Sequence, residues 1–300
     1  MNELCRERGN GSRSLPIAIW YQCPVTNIPE SMAPPTVAQP FDSDLLTRGR
    51  LSVEQLDEVL TITLERPDIH NAQLPDTWEA LAHIGSRLPG TIRVVVVRGA
   101  GASFSAGLDR SAFELTGDSM LVRVASAPDA VAHNMIARFQ QGFTWLADPG
   151  FISIAAVSGH AIGAGFQLTL ACDLTLVAED AQFCMAEVGL GLVPDLGGTG
   201  PLVRAVGYQR ALEICATGRR VGAAEAVRIG LALASVPVDE LSEAVSDLTE
   251  ALLAAPVDAV RAVTRLLSSA RVSTAAEQLL AEQAEQLNRV REVAAAQDRR

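Results

Sequence analysis

The chain lacks the marks of several large protein classes. Lys and Arg together number 24 against 35 Asp and Glu, a formal charge of −11, so there is no basic excess of the kind a nucleic-acid-binding face needs. Only a local basic pocket for a phosphorylated ligand stays open. Cysteine is sparse: Cys5, Cys23, Cys172, Cys184 and Cys215 are five in number, far apart, with no CxxC pair and no His cluster beside them. That spacing argues against a disulfide framework or a zinc site and fits reduced thiols in the cytoplasm. No apolar run reaches the roughly 18 residues of a membrane-spanning helix, because Gly, Ser, His or Asp interrupts each candidate. Nor does an apolar core like that of a secretory signal develop before Pro16 and Pro24. The expectation is a soluble, cytoplasmic protein with no metal, no membrane and no nucleic acid among its partners.

What is present is 300 residues, 48% of them apolar, enough for a large core. Residues 1–46 carry Pro16, Pro24, Pro29, Pro34, Pro35 and Pro40 without sustained periodicity, which predicts a loose extension, with Met32 a candidate native start. From Leu56 the pattern tightens. Val59 to Leu64 reads as a strand, Pro75 opens a helix reaching Leu88, and Ile92 to Val97 is a β-branched run that predicts a strand covered on both faces. A helix is expected around Ala130 to Leu146, then a strand from Ile152 to Val157, a helix from Phe166 to Cys172, and strands from Leu174 to Ala178 and Gln182 to Met185. Strands alternating with helices imply crossover units and a mostly parallel α/β sheet. From Thr199 onward the chain turns helical, and Ala275 to Ala296 carries Leu279, Leu280, Leu287 and Val290 for packing on the body or on a neighbouring subunit. The division is therefore an extension over 1–46, a core over 47–237 and a helical C-terminal region over 238–300.

Two glycine-containing turns stand out, Ser105-Ala106-Gly107-Leu108-Asp109 after Ile92–Val97 and Gly159 to Gly165 after Ile152–Val157. A turn that ends a strand and opens a helix leaves backbone N–H groups aimed outward, and parallel strands bring such turns to one crevice. Two converging N–H donors stabilise an enolate or a tetrahedral oxyanion. The plainer alternative is that these glycines only permit tight turns.

Glu65-Arg66-Pro67, Asn71-Ala72, Phe104 to Asp109, Ala155 to Gly165, Ala171-Cys172-Asp173, Ala181-Gln182-Phe183 and Gly197-Gly198-Thr199 occur in this order from about Val59 to Pro237. Together they resemble the crotonase superfamily, the enoyl-CoA hydratase and isomerase family. The resemblance implies a ClpP-like ββα spiral core with a helical C-terminal region, an acyl-CoA substrate, and no cofactor beyond the coenzyme A of that substrate. It also implies a homotrimer or dimer of trimers. It assigns the oxyanion donors to the backbone N–H of Leu108 and Ala164, and substrate or CoA contacts to Arg66, Ala72, Ala106, Gly107, Asp109 and Gly163. The two glutamates that hydratases use map to Gln167 and Glu187, so one carboxylate is missing. An amide can orient a water or a substrate but cannot act as a general base. Asp195 falls where dienoyl-CoA isomerases of the family carry an aspartate; the alternative is that it caps the helix beginning near Gly197.

Isomerisation by Glu187 alone, hydration or dienoyl isomerisation by Glu187 with Asp195, and a catalytically weak acyl-CoA binder or scaffold all remain open. His70 and His160 flank the expected site, while His83 and His133 fall on helices and read as ordinary, partly buried residues. Phe113, Leu115, Met120, Trp145, Leu146 and Phe151 could line an acyl tunnel or simply belong to the core.

Overall fold

The computed structural model describes residues 40–113, 117 and 119–297; Cys5, Cys23, Met32, Leu115 and the proline-rich stretch before residue 40 lie outside the described residues. Among the described residues, regular structure already begins ahead of residue 47, where the core was expected to start. Asp42 accepts N–H bonds from Asp44 and Leu45 and so caps α1 (Ser43–Gly49), and β1 (Leu51–Leu56) follows. The polar residues Ser52, Glu54 and Gln55 hide β1 from a hydrophobicity search, because an edge strand needs to bury only part of its surface.

Strands β1, β2 (Val59–Leu64), β3 (Val94–Gly99), β4 (Ile152–Val157), β6 (Leu174–Ala178) and β9 (Ala234–Val236) form one sheet in that order. β1 runs antiparallel to β2, and the remaining pairs are parallel. A smaller sheet holds β5 (His160–Ile162), β7 (Gln182–Cys184) and β8 (Val221–Gly222). β3 begins two residues later than its apolar run, because Ile92 N–H still turns back to Pro89 O and the ladder with β2 starts at Val59 opposite Val94.

The double covering predicted for β3 is present. Val95 and Val97 face the main core with helices α2 (Pro75–Ser86) and α4 (Asp129–Thr144), whereas Val94 and Val96 face Leu241, Ala244, Val245 and Leu248 of α9 (Leu241–Ala254). Thus α9, although part of the helical C-terminal stretch, closes the outer face of the sheet. Arg261 on α10 (Val257–Ser269) fastens that helix to the body through Gly150 O and Gly90 O. The last helix, α11 (Ala275–Gln297), buries no residue and leaves Leu279, Leu280, Leu287, Val290 and Val293 exposed. Among the described residues, no helix is long and apolar enough to cross a membrane.

Candidate active site

Both special turns differ in detail from the expected strand-turn-helix corner. β3 ends at Gly99, well before Ser105, and the first turn opens a short 3-10 turn over Arg110–Phe113 rather than an α-helix. After β4 the short strand β5 intervenes before Gly163, and only then does α5 (Ala164–Ala171) start. The reason is backbone pairing: Ser105 bridges Ala161 and Leu108 bridges Gln73, so the first turn runs as a strand fragment beside β5.

The turns nevertheless meet. Ser105 N–H donates to His160 O (2.7 Å) and Ile162 N–H to Ser105 O (2.9 Å). Gly107 has φ +87°, and a Cβ there would lie 2.5 Å from Ile162 O and 3.4 Å from Ala164 N, so this position requires glycine. Gly165 is equally constrained: its Cβ would come within 2.6 Å of Ser105 O. Gly107 O and Asp109 N–H are taken by Gln73, Ala106 N–H by His70 O, and Gly163 N–H by Cys184 O. Among the described residues, that pattern leaves the N–H groups of Leu108 and Ala164 without a partner. The second is an orphan donor of the first turn of α5.

Glu187 stands over this point on a 3-10 turn (Glu187–Leu190), its Oε1 3.4 Å from where a Cβ on Gly163 would be. Gln167, 1% exposed on α5, donates from Nε2 to that Oε1 at 2.8 Å. Oε2 is buried and has no hydrogen-bond partner. Burial pushes the Glu187 carboxyl above its ordinary pKa, and the Asp195 charge adds to the rise, against lowering by its own backbone N–H and by Gln167. Asp195 does not cap α6 (Thr199–Val206): the N-cap is Gly198, with no side-chain bond. Its backbone carbonyl accepts Gln140 Nε2 at 2.7 Å from α4. The residue is exposed, yet its carboxyl is crowded enough that desolvation raises its pKa as well.

Of the residues assigned to CoA, Ala72 and Asp109 meet at the Arg66 guanidinium. Arg66 Nη1 bonds both Asp109 Oδ2 and Ala72 O at 2.8 Å. The Asp109 carboxyl is held below its ordinary pKa, first by the Ser111 backbone N–H and further by the Ser111 hydroxyl and Arg66. Ala106 is exposed. His70 and His160 each bring Nδ1 to the buried Ser103 Oγ, at 3.1 and 3.2 Å, so they serve as props of the first turn. His83 accepts Asp42 N–H on α2, and His133 is exposed rather than partly buried. Leu146 and Phe151 are buried in the main core, with Met120 and Trp145 partly buried against it.

Asn71 and Ser105 belong to the motifs read from the sequence, but their part in holding the first turn, and Gln73 altogether, escaped that reading. Asn71, 1% exposed with φ +54°, accepts Arg66 N–H and donates to Ala100 O and Ser103 O. Gln73 links Trp78 Nε1 to the Ser105 hydroxyl, which in turn reaches Asn71 O. Most of these partners lie about thirty residues away in sequence, so no local pattern marks them.

A family model described as enoyl-CoA hydratase/isomerase matches residues 54–296. The chain belongs to the enoyl-CoA hydratase/isomerase family. Its fold is that of the crotonase superfamily. A Mycobacterium tuberculosis protein assigned as an enoyl-CoA hydratase is 33% identical over 201 residues, covering 65% of this chain and 72% of that one. A 4-chlorobenzoyl coenzyme A dehalogenase from Arthrobacter is 32% identical over 213 residues, covering 69% and 73%. A Thermobifida fusca protein assigned as an enoyl-CoA hydratase, solved with CoA, superposes with a TM-score of 0.80 at 42% identity, covering 86% of this chain and 99% of that one. The same protein solved with acetoacetyl-CoA gives 0.80 and 42%, over 85% and 100%. Relatives with different named reactions share this scaffold, so membership leaves the reaction to the side chains at the site.

Proposed function

We propose that the chain is an acyl-CoA enzyme that holds a thioester carbonyl oxygen between the N–H groups of Leu108 and Ala164 and moves a proton with Glu187, isomerising or hydrating a fatty enoyl-CoA. The observation that carries this reading is the buried, unpartnered Glu187 Oε2, close to Gly163 just ahead of Ala164, together with the two uncommitted N–H donors where the turns meet. As carbon 2 loses its proton, charge develops on the thioester oxygen, and donors already in place stabilise it without reorganising. A raised carboxyl pKa brings Glu187 closer to the range in which it can both take and return a proton near neutrality.

In this reading the surface near Ala72, Ala106, Gly107 and Gly163, together with the Arg66–Asp109 pair, takes the CoA moiety, and a Thermobifida relative solved with CoA supports CoA as the ligand class. The chemistry asks for no cofactor beyond the substrate's own coenzyme A. Assembly as a homotrimer or dimer of trimers would cover the exposed apolar residues of α11.

The test is a panel of 2-enoyl-CoA and 3-enoyl-CoA substrates incubated in D₂O, with wild type beside Glu187→Gln. Deuterium at carbon 2, lost in the variant, is the expected result. No deuterium in any substrate, with the variant indistinguishable from wild type, would reduce the protein to an acyl-CoA binder.

A further inference from the structure

The second turn follows the C-terminal end of β4, and the opposite end of the sheet has an opening of its own. β4, β6 and β9 run parallel. Beside the N-terminal ends of β6 and β9 lies a cavity of about 520 Å³, walled also by the last turn of α5, by α6 and by Arg271 just past α10. An adjoining trench of about 510 Å³ shares Asp173, Leu174 and Arg271 and runs past Ile152, Leu252 of α9, and Val260, Val263 and Leu267 of α10. The α10 residues recur at the spacing of one helix face over about 10 Å, and Val263 and Leu267 are 53% and 66% exposed. Both volumes fall in the range of about 300–1,000 Å³ of small-molecule sites. Charge in this region is unevenly committed. Arg93 bonds the carbonyls of Leu252, Leu253 and Ala255, and Arg261 those of Gly90 and Gly150. Arg204, in the last turn of α6, and Arg271 both line the first cavity, yet among the described residues neither guanidinium has a hydrogen bond or an ion pair. Asp173 is the one carboxylate lining either space, and its Oδ2 already accepts the Ser153 N–H and hydroxyl, each at 3.0 Å.

We propose that the cavity and the trench together form a second ligand site, separate from the two turns, for an amphiphile with a carboxylate head and an unbranched hydrocarbon tail, the chemistry of a free fatty acid. The head takes charge-assisted hydrogen bonds from Arg204 and Arg271, whose planar forks match a carboxylate. The tail covers the apolar face of α10 and removes Val263 and Leu267 from water. A bare anion would leave the trench open to solvent, and an uncharged lipid would leave both guanidiniums without a counter-charge. Separation from the proposed acyl-CoA site follows from α5, which gives Ala164 at its first residue and lines the cavity with Thr169 and Leu170 near its last. Its eight residues set the two sites about 10 Å apart along the helix. Both can therefore be filled at once.

The experiment is calorimetric titration of the full chain with dodecanoate below its micelle concentration, alongside decanoate, acetate and dodecyltrimethylammonium. Wild type is compared with Arg204→Gln, Arg271→Gln and Leu267→Glu, all at exposed positions and each checked by thermal melting and sedimentation. Dodecanoate is expected to bind, and decanoate about tenfold more weakly, since two buried methylenes are lost. Acetate should give no measurable binding. Each arginine variant should weaken dodecanoate about tenfold, the effect of losing a hydrogen bond to a charged group. Leu267→Glu sets a negative charge in the trench and should weaken it at least as much, while saturating CoA should leave the affinity within about twofold. Displacement by CoA would place the ligand in the acyl-CoA site and overturn the proposal. So would equal affinity in wild type and all three variants, or dodecyltrimethylammonium binding as tightly as dodecanoate. A wild type that takes up no dodecanoate, and whose assembly Leu267→Glu breaks apart, would show that a second copy of the chain fills the trench; this too overturns the proposal.

Discussion

The two turns offer the same group, an outward N–H, but are built by different means. The second comes from regular structure: β5 pairs with β7, Gly163 reverses the chain with φ +50°, and Ala164 is the first residue of a helix. The first is held by side chains: Asn71, Gln73 and Ser105, each 1% exposed or less, bond backbone groups and one another across two loops. Secondary structure leaves an orphan donor as a by-product of a helix start. Without a helix, the same donor has to be placed by a fully satisfied buried polar network, whose members have few tolerable substitutes.

That contrast orders the expected effects. The largest comes from the group that faces both turns: Glu187→Gln should lower kcat for isomerisation about a thousandfold, the size of a lost general base, with acyl-CoA binding retained in a direct titration. Next, Ala164→Pro removes one N–H at a helix start where proline is tolerated, and should cost roughly 3 kcal/mol in kcat, on the order of a hundredfold or more, while the melting temperature changes little. Cutting the other turn's support should read oppositely. Asn71→Ala breaks three hydrogen bonds and should destabilise by roughly 2–4 kcal/mol, a fall in Tm of about 5–12 °C, with activity falling because Leu108 is no longer held. If Ala164→Pro lowers Tm more than Asn71→Ala does, the contrast is broken.

The smallest effect is electrostatic. Since burial raises the folded-state pKa of Glu187, its ionised form opposes folding: that cost is absent below the ordinary value of 4.5 and grows as pH rises through the folded value. Glu187→Gln should therefore melt roughly 1–3 °C above wild type at pH 8, and at the same temperature as wild type near pH 4. The same raised pKa places the acid limb of kcat/KM above 4.5, because the ionised carboxylate is the active form.

Much of the second turn was legible in the sequence. β4 was predicted with its observed limits, and α5 within two residues at its start, because apolar runs bounded by Gly carry their own signal. Glu187 was recognisable through the family pattern, but its burial was not: the Val188–Leu192 stretch that follows it is largely exposed, and the carboxyl lies beside the buried Gln167 instead. The first turn was legible only as a motif. Its supports are Asn, Gln, Ser and His side chains, which in a sequence look like surface residues until their distant partners are known. Asp195 shows the same limit: a carboxylate just ahead of a helix reads as a cap, but here the chain reaches Gly198 before the helix begins.

The central claim is that Leu108 and Ala164 N–H groups hold one thioester oxygen. Infrared difference spectroscopy of an acyl-CoA labelled with ¹³C at the thioester carbonyl tests it most directly. The C=O band should move to lower wavenumber on binding, keep that displacement in Glu187→Gln, and recover roughly half of it in Ala164→Pro, since one of two donors is gone. A carbonyl band at its solution frequency in the bound wild-type complex would contradict the account.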